Sequence, residues 1–228
     1  CYNVLPYMEQ ETIHNIGAGL PDAQKRVALK SLKEQVVPGM ICPSRRAVKA
    51  YPAVEGSINS DPASVHAKTD YAANGGEYVQ TFYGPGSIQE GDTTYQWPSW
   101  IDNHSGMTHL RSNVRTAHVR DGLSCTYMVG EKSLEPRYYE TGNNGADNNS
   151  MYQGHDWDIL RWGSASYPPD RDRPGVDCWQ CFGSAHINGT YFVFGDGHVQ
   201  LVRHGIDAET HRRLGNRADK APVDMSKL

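Results

Sequence analysis

The 228-residue sequence has no run of 18 apolar residues, so no membrane-spanning helix is predicted within it. It has no excess of basic charge: 22 Lys and Arg stand against 26 Asp and Glu, a formal net charge of −4. That balance excludes the electrostatic footprint of a nucleic-acid binder, and no basic helical stretch points to a lipid surface. HExxH is missing, and His104 and His109, the closest of ten histidines, are not spaced to share one helical face. G-x-S-x-G is missing too, which removes the nucleophile elbow of a serine hydrolase; Ser124, beside Asp121-Gly122, reads as a turn residue. No EF-hand spacing, internal repeat or heptad pattern is present. Neither an initiator Met nor a leader precedes Cys1, so the opening Cys1-Tyr2-Asn3-Val4-Leu5-Pro6 reads as the start of a fragment whose upstream part was processed or cut away.

What is there is turn chemistry. With 38% hydrophobic residues, 23 Gly and 13 Pro, short apolar runs are interrupted often, the composition of a loop-rich, β-rich globular chain. Residues 1–228 are read as one domain: a helical portion over 1–40, a β-rich head with loop insertions over 41–206, and a C-terminal helix and tail over 207–228. Leu5 to Ile16 is predicted as a short helix with Pro6 in its first turn. Asp22 to Val36 is predicted as an amphipathic helix through Ala23, Val27, Leu32 and Val36, stopped by Pro38-Gly39. Cys125 to Val129 reads as a buried strand after the Asp121-Gly122 turn. Thr141 to Gln153, the most polar stretch, reads as a surface loop. Tyr191 to Phe194, Gly195-Asp196-Gly197 and Val199 to Val202 form the pattern of a β-hairpin, with Asp196-Gly197 supplying a two-residue turn. Asp207 to Leu214 is a terminal helix.

Five cysteines are an odd number, and Cys178-Trp179-Gln180-Cys181 holds the one close pair. A zinc ribbon needs a second such pair, and a thioredoxin-like site needs a strand-to-helix setting that this Pro/Gly/Asp-rich loop lacks. Three readings stay open: a local disulfide in an oxidising compartment, two plain thiols, or metal and redox chemistry; the first is preferred. Trp97, Trp100, Trp157 and Trp162 sit in loops, where they either stack on sugar faces or pin the loops to the core. Calcium is the one cofactor the loops suggest, through Asp147, Asp156 and Asp158, because a hard cation favours clustered carboxylate and amide oxygens. His186 and Asp196 invite a catalytic reading, but no third group completes a constellation around them. The simpler reading makes Asp196 and Gly197 turn residues and His186 a hydrogen-bonding residue of the loop before them.

Four segments in order then carry a resemblance: Leu5-Pro6-Tyr7-Met8-Glu9-Gln10; Ile41-Cys42-Pro43-Ser44 followed by Thr69-Asp70-Tyr71-Ala72-Ala73-Asn74; Asp121-Gly122-Leu123-Ser124 with Val129-Gly130-Glu131-Lys132-Ser133; and His186 with nine residues before Asp196-Gly197. Together they resemble a planctomycete-abundant family of unknown function with a type IV prepilin-type N-terminal methylation helix and a C-terminal H-x9-D-G signature. The resemblance implies an α+β, type IV pilin-like head, a mainly antiparallel β-sheet with long loops, whose N-terminal helix is mostly missing from this chain. It implies a non-enzymatic, extracellular or cell-surface subunit that assembles with its own copies into a filament or envelope structure. Membrane attachment would run only through the N-terminal helix. A second label for the same family, extracellular solute-binding, supports the alternative of an envelope carbohydrate- or solute-binding module using the loop tryptophans. A hydrolase ranks third.

Overall fold

A computed structural model of the chain describes residues 1–79, 84–97, 99 and 104–228. The fold is α+β, and its residues gather into two compact units.

The first unit combines Cys1–Thr69, Thr81–Trp97 and Tyr138–Ile159. It opens with a 3-10 turn, Tyr2–Met8, and a single helical turn, α1 (Glu11–His14). These replace the continuous helix read over Leu5 to Ile16. Glu9 adopts a left-handed backbone, φ 58°, which lets Gln10 N–H reach back to the Leu5 carbonyl at 2.9 Å, the six-to-one bond of a Schellman stop. Helix α2 (Asp22–Glu34) follows. Its buried stripe differs from the expected one: Val27 is 59% exposed, whereas Leu32 and Lys33 are buried. A two-residue strand pair, β1 (Tyr51–Pro52) with β2 (Val65–His66), is antiparallel. Helix α3 (Ile88–Thr93) is capped by Ser87, whose hydroxyl accepts from Glu90 N–H, as N-cap serines do. Leu5, Val37, Ala67 and Met151 form the unit's apolar core, with Tyr2, Met8 and Met40 packed against it.

The second unit combines Asp70–Gln80, Pro98–Arg137 and Leu160–Leu228. Five of its strands make one sheet: β3 (Tyr71–Asn74), β4 (Tyr127–Glu131), β5 (Leu160–Arg161), β8 (Gly189–Phe194) and β9 (Val199–Arg203), in the order β5-β3-β4-β8-β9. All neighbours are antiparallel except β3 with β5. A second, parallel pair joins β6 (Asp170–Arg171) to β7 (Gly183–Ser184). Strand β8 alternates as its sequence demands: Thr190, Phe192 and Phe194 are buried, while Tyr191 is exposed, because a pleated strand turns successive side chains to opposite faces. Its inner aromatics pack on Tyr127, Phe192 stacked with ring centroids 3.9 Å apart and Phe194 edge-on at 5.3 Å. Val202, Ile206 and Leu214 complete this core. The hairpin turn is one residue longer than read. Phe194 N–H bonds to the His198 carbonyl and Gly197 N–H to the Phe194 carbonyl, both at 2.9 Å. Gly195-Asp196-Gly197 is thus a three-residue loop, with Gly197 at φ 90° in the position such loops reserve for a left-handed residue. Helix α4 (Ala208–Gly215) is capped by Asp207, whose carboxylate accepts from Thr210 N–H at 2.8 Å.

Candidate functional site

Asp70, Tyr71, Asn74, Asp121, Glu131, His186 and Asp196 all lie in the second unit, and several of their side chains bond to backbone. Asn74 ends β3. Its amide Nδ2 donates to the carbonyls of Tyr127 and Gly215, both at 2.8 Å, while Oδ1 accepts from Gly76 N–H at 2.9 Å. One buried side chain therefore ties β3 to the neighbouring strand and to the C-terminal end of α4, with both donors and the acceptor used. The backbone of Asp70 and Tyr71 is engaged too: Lys132 N–H donates to the Asp70 carbonyl at 3.0 Å, and Tyr71 pairs with Glu131 across β3 and β4.

Glu131 lies at the point where the β4–β8 ladder stops. That ladder's register runs from Tyr127 opposite Phe194 to Gly130 opposite Phe192. Beyond it the Glu131 carboxylate takes over as acceptor: Oε2 receives Tyr191 N–H at 2.8 Å, and Oε1 faces His186 Nε2 at 3.3 Å. The carboxylate is buried and the imidazole partly open; the His186 ring also meets Tyr191 edge-on at 5.4 Å. Sequence reading singled out Glu131 and His186 separately, and the fold makes them partners.

His186 and Asp196 are not a dyad. They bracket opposite ends of β8, a six-residue strand of about 20 Å at the usual rise per residue. Asp196 instead folds onto its own turn: Oδ1 accepts His198 N–H at 3.1 Å and meets His198 Nδ1 at 2.6 Å. Those bonds hold its carboxyl below the usual carboxylate range. Asp121 behaves similarly. Its two oxygens accept Asp219 N–H at 2.9 Å and Lys220 N–H at 2.7 Å, pinning a segment where Lys220 has a left-handed φ of 60°. Burial nevertheless raises the Asp121 pKa above its ordinary value, outweighing the two N–H bonds. Gly122 follows at φ 93°, a backbone suited to glycine.

The tryptophans divide. Trp162 is 2% exposed and lies against Gly75, where an added Cβ would sit 2.9 Å from its Nε1. In the first unit Trp97 and Trp157 are half-buried, and Trp97 Nε1 donates to the Gly91 carbonyl at 3.2 Å. Trp100 lies outside the described residues. Cys178 and Cys181 form a disulfide, and Cys1 and Cys125 remain thiols.

The three aspartates proposed for calcium organise the polar loop of the first unit. Asp147 receives both guanidinium arms of Arg46, at 2.6 and 3.2 Å, in an ion pair whose two side chains are each 1% exposed. Asp158 Oδ1 accepts Asn149 N–H at 2.8 Å, and Asp156 Oδ2 accepts Asn149 Nδ2 at 3.1 Å. Among the described residues these three carboxylates do not come together as a three-oxygen cluster. The polar stretch expected on the surface is held inside: Lys68 Nζ donates to the carbonyls of Asp147 and Asn149 at 2.6 and 3.0 Å, and Asn144, Asp147 and Ser150 are buried. Arg46, which also stacks over Tyr51 with its guanidinium carbon 5.0 Å from the ring centroid, carries no sequence mark beyond its charge. Its role was not legible beforehand.

The profile of one family, described as Protein of unknown function (DUF1559) and labelled SBP_bac_10, a solute-binding label, matches residues 1–209. No curated protein and no solved structure matches the chain.

Proposed function

The chain belongs to this family of unknown function, and from that premise we propose that it is a non-enzymatic, pilin-like subunit, extracellular or on the cell surface, that assembles with its own copies. The observation that supports this reading is the use of the signature side chains. Asn74, Asp121, Glu131 and Asp196 all accept backbone N–H groups. Groups committed in this way hold a fold, whereas a catalytic acid or base needs hydrogen-bond reach to a reacting atom. The antiparallel β3-β4-β8-β9 run and its C-terminal hairpin suit a head domain. No helix among the described residues is long and apolar enough to cross a membrane, so attachment to a membrane through a helix falls to an N-terminal segment of the kind the resemblance implies.

Electron microscopy of native material taken from intact cells tests the proposal. The expected result is filaments or envelope-bound assemblies decorated by an antibody to this chain; monodisperse monomers with no envelope association would contradict it. A second reading, a solute-binding module, is favoured by the family's label. The tryptophan route to it is narrowed by Trp162, a ring too buried to stack on a sugar.

A further inference from the structure

Positive charge on this acidic chain collects at one cavity of the second unit. The cavity measures about 420 Å3, within the range of small-molecule sites. Arg111, Arg120 and Arg217 line it, and no carboxylate does among the described residues. The formal charge of the whole chain is −4, so this collection runs against the average of the sequence.

Arg217 is fixed through its backbone. Its N–H donates to the Ser105 carbonyl at 2.9 Å, and its carbonyl accepts Arg120 N–H at 2.7 Å, which ties two of the lining arginines together. Its Nη1 donates to the carbonyls of His104 and Gly106, whereas Nε and Nη2 have no hydrogen-bond partner among the described residues and are not closed off from water. Burial lowers the Arg217 pKa, and no carboxylate opposes that shift. Arg212 shows the contrast: hydrogen bonds to Glu209, Glu77 and Asp219 raise its pKa.

Arg120 is exposed, and its guanidinium meets no carboxylate among the described residues. The acids next in sequence to Arg120 and Ala218 are committed elsewhere. Asp121 accepts the N–H groups of Asp219 and Lys220, and Asp219 holds Arg212 at 3.0 Å. Arg111, also exposed, stands at a left-handed φ of 55° in a turn closed by Ser112 N–H on the His109 carbonyl at 2.9 Å. His118 Nδ1 accepts Arg115 N–H at 3.1 Å, so its exposed ring presents Nε2 as the protonated nitrogen. Like charges held around one space repel, and a multiply charged anion relieves that repulsion.

We propose that this cavity binds a phosphate or sulfate monoester of a small polar molecule, its oxyanion taken up by the three guanidiniums and by His118 Nε2. A tetrahedral group with three free oxygens uses several donor forks, whereas a carboxylate is satisfied by one. Bare phosphate would leave much of the space empty, and Asn113, beside Val114 and Ala218, offers an amide to a compact polar body. The site lies wholly within the second unit and is independent of the assembly reading, which stands or falls on imaging.

Calorimetric titration of the chain with the 6-phosphate and 6-sulfate esters of glucose and of N-acetylglucosamine tests it and separates the two kinds of ester. Glucose, glucuronate and inorganic phosphate are the comparators. Saturable binding of at least one ester is expected, weakening as sodium chloride is raised, with none for glucose. Binding should be weaker by about tenfold or more for glucuronate, for inorganic phosphate and for Arg120→Gln, the loss that follows removal of a charged hydrogen bond. Arg120→Gln should unfold at the same urea concentration as the unmodified chain, since that guanidinium holds no other part of the fold. If the variant does not fold, amide shift mapping on the unmodified chain takes its place: perturbations must centre on 109–120 and 217–218. Failure of the whole series to bind, a comparator that binds as tightly as the esters, binding unchanged in Arg120→Gln, or shifts centred elsewhere would each overturn the proposal.

Discussion

At the scale of single residues, the buried charges and imidazoles give the sharpest expectations. Asp147→Asn leaves the Arg46 guanidinium buried at 1% exposure beside a neutral group, and loss of a buried partner costs about 3–5 kcal/mol; equilibrium urea unfolding reads this directly. Because Arg46 already takes both Asp147 oxygens, chelation with EDTA is expected to leave the melting temperature unchanged. His211 is wholly buried among Tyr127, Phe182 and Phe192, and burial pushes its pKa down to about 4. An unfolded chain protonates this histidine below about pH 6.5, while the folded one resists until about pH 4. Stability is therefore unaffected above the unfolded value and falls as pH drops through that window, by about 3 kcal/mol in all. His66, pushed down to about 4 by burial with help from Lys68 and Lys33, adds a loss of the same sign. His211→Phe should flatten the part due to His211, as urea midpoints at several pH values would show; an unchanged acid profile would remove His211 from the account.

Elements show where local chemistry is decisive. Gly130 in β4 sits so close to the aromatic core that an added Cβ would lie 2.6 Å from Phe192 and 2.8 Å from Phe182. Gly130→Ala should destabilise by about 1–3 kcal/mol through overpacking. Gly197→Ala meets open space but a φ of 90°, so only backbone strain opposes it, about 1 kcal/mol; if the two variants lost the same stability, the distinction would be wrong. The hairpin and the Asp207-capped helix were legible because alternation, turn residues and caps are local signals, whereas the strand read over Cys125 to Val129 runs from Tyr127 to Glu131, after a 3-10 turn that takes Cys125. Helix α2 was legible in its extent and not in its facing. Val27 looked like core and is exposed, and Lys33, four residues after Leu29, took the inward place. An inward lysine contradicts the hydrophobic pattern itself, so no reading of that pattern finds it. The break at Glu9 hid for another reason: a left-handed non-glycine residue has no composition signal.

For the whole molecule, the sequence motifs identified the family but not what their side chains do. Partners such as Asn74 with Gly215, or Glu131 with Tyr191, are 141 and 60 residues apart, and only the fold brings them within bonding distance. The two units likewise gather segments far apart in the chain, Asp70–Gln80 falling in one and Tyr138–Ile159 in the other. The central claim is that the signature is architecture, and equilibrium unfolding of Asn74→Ala, Asp121→Ala and Glu131→Ala tests it most directly. Asn74→Ala should lose about 1–3 kcal/mol, the cost of stranding buried backbone groups, and the other two, whose N–H partners are partly open to water, about 1 kcal/mol each. Active-site residues commonly behave in the opposite way, gaining stability when replaced. Three variants as stable as the unmodified chain, or more so, would contradict the claim.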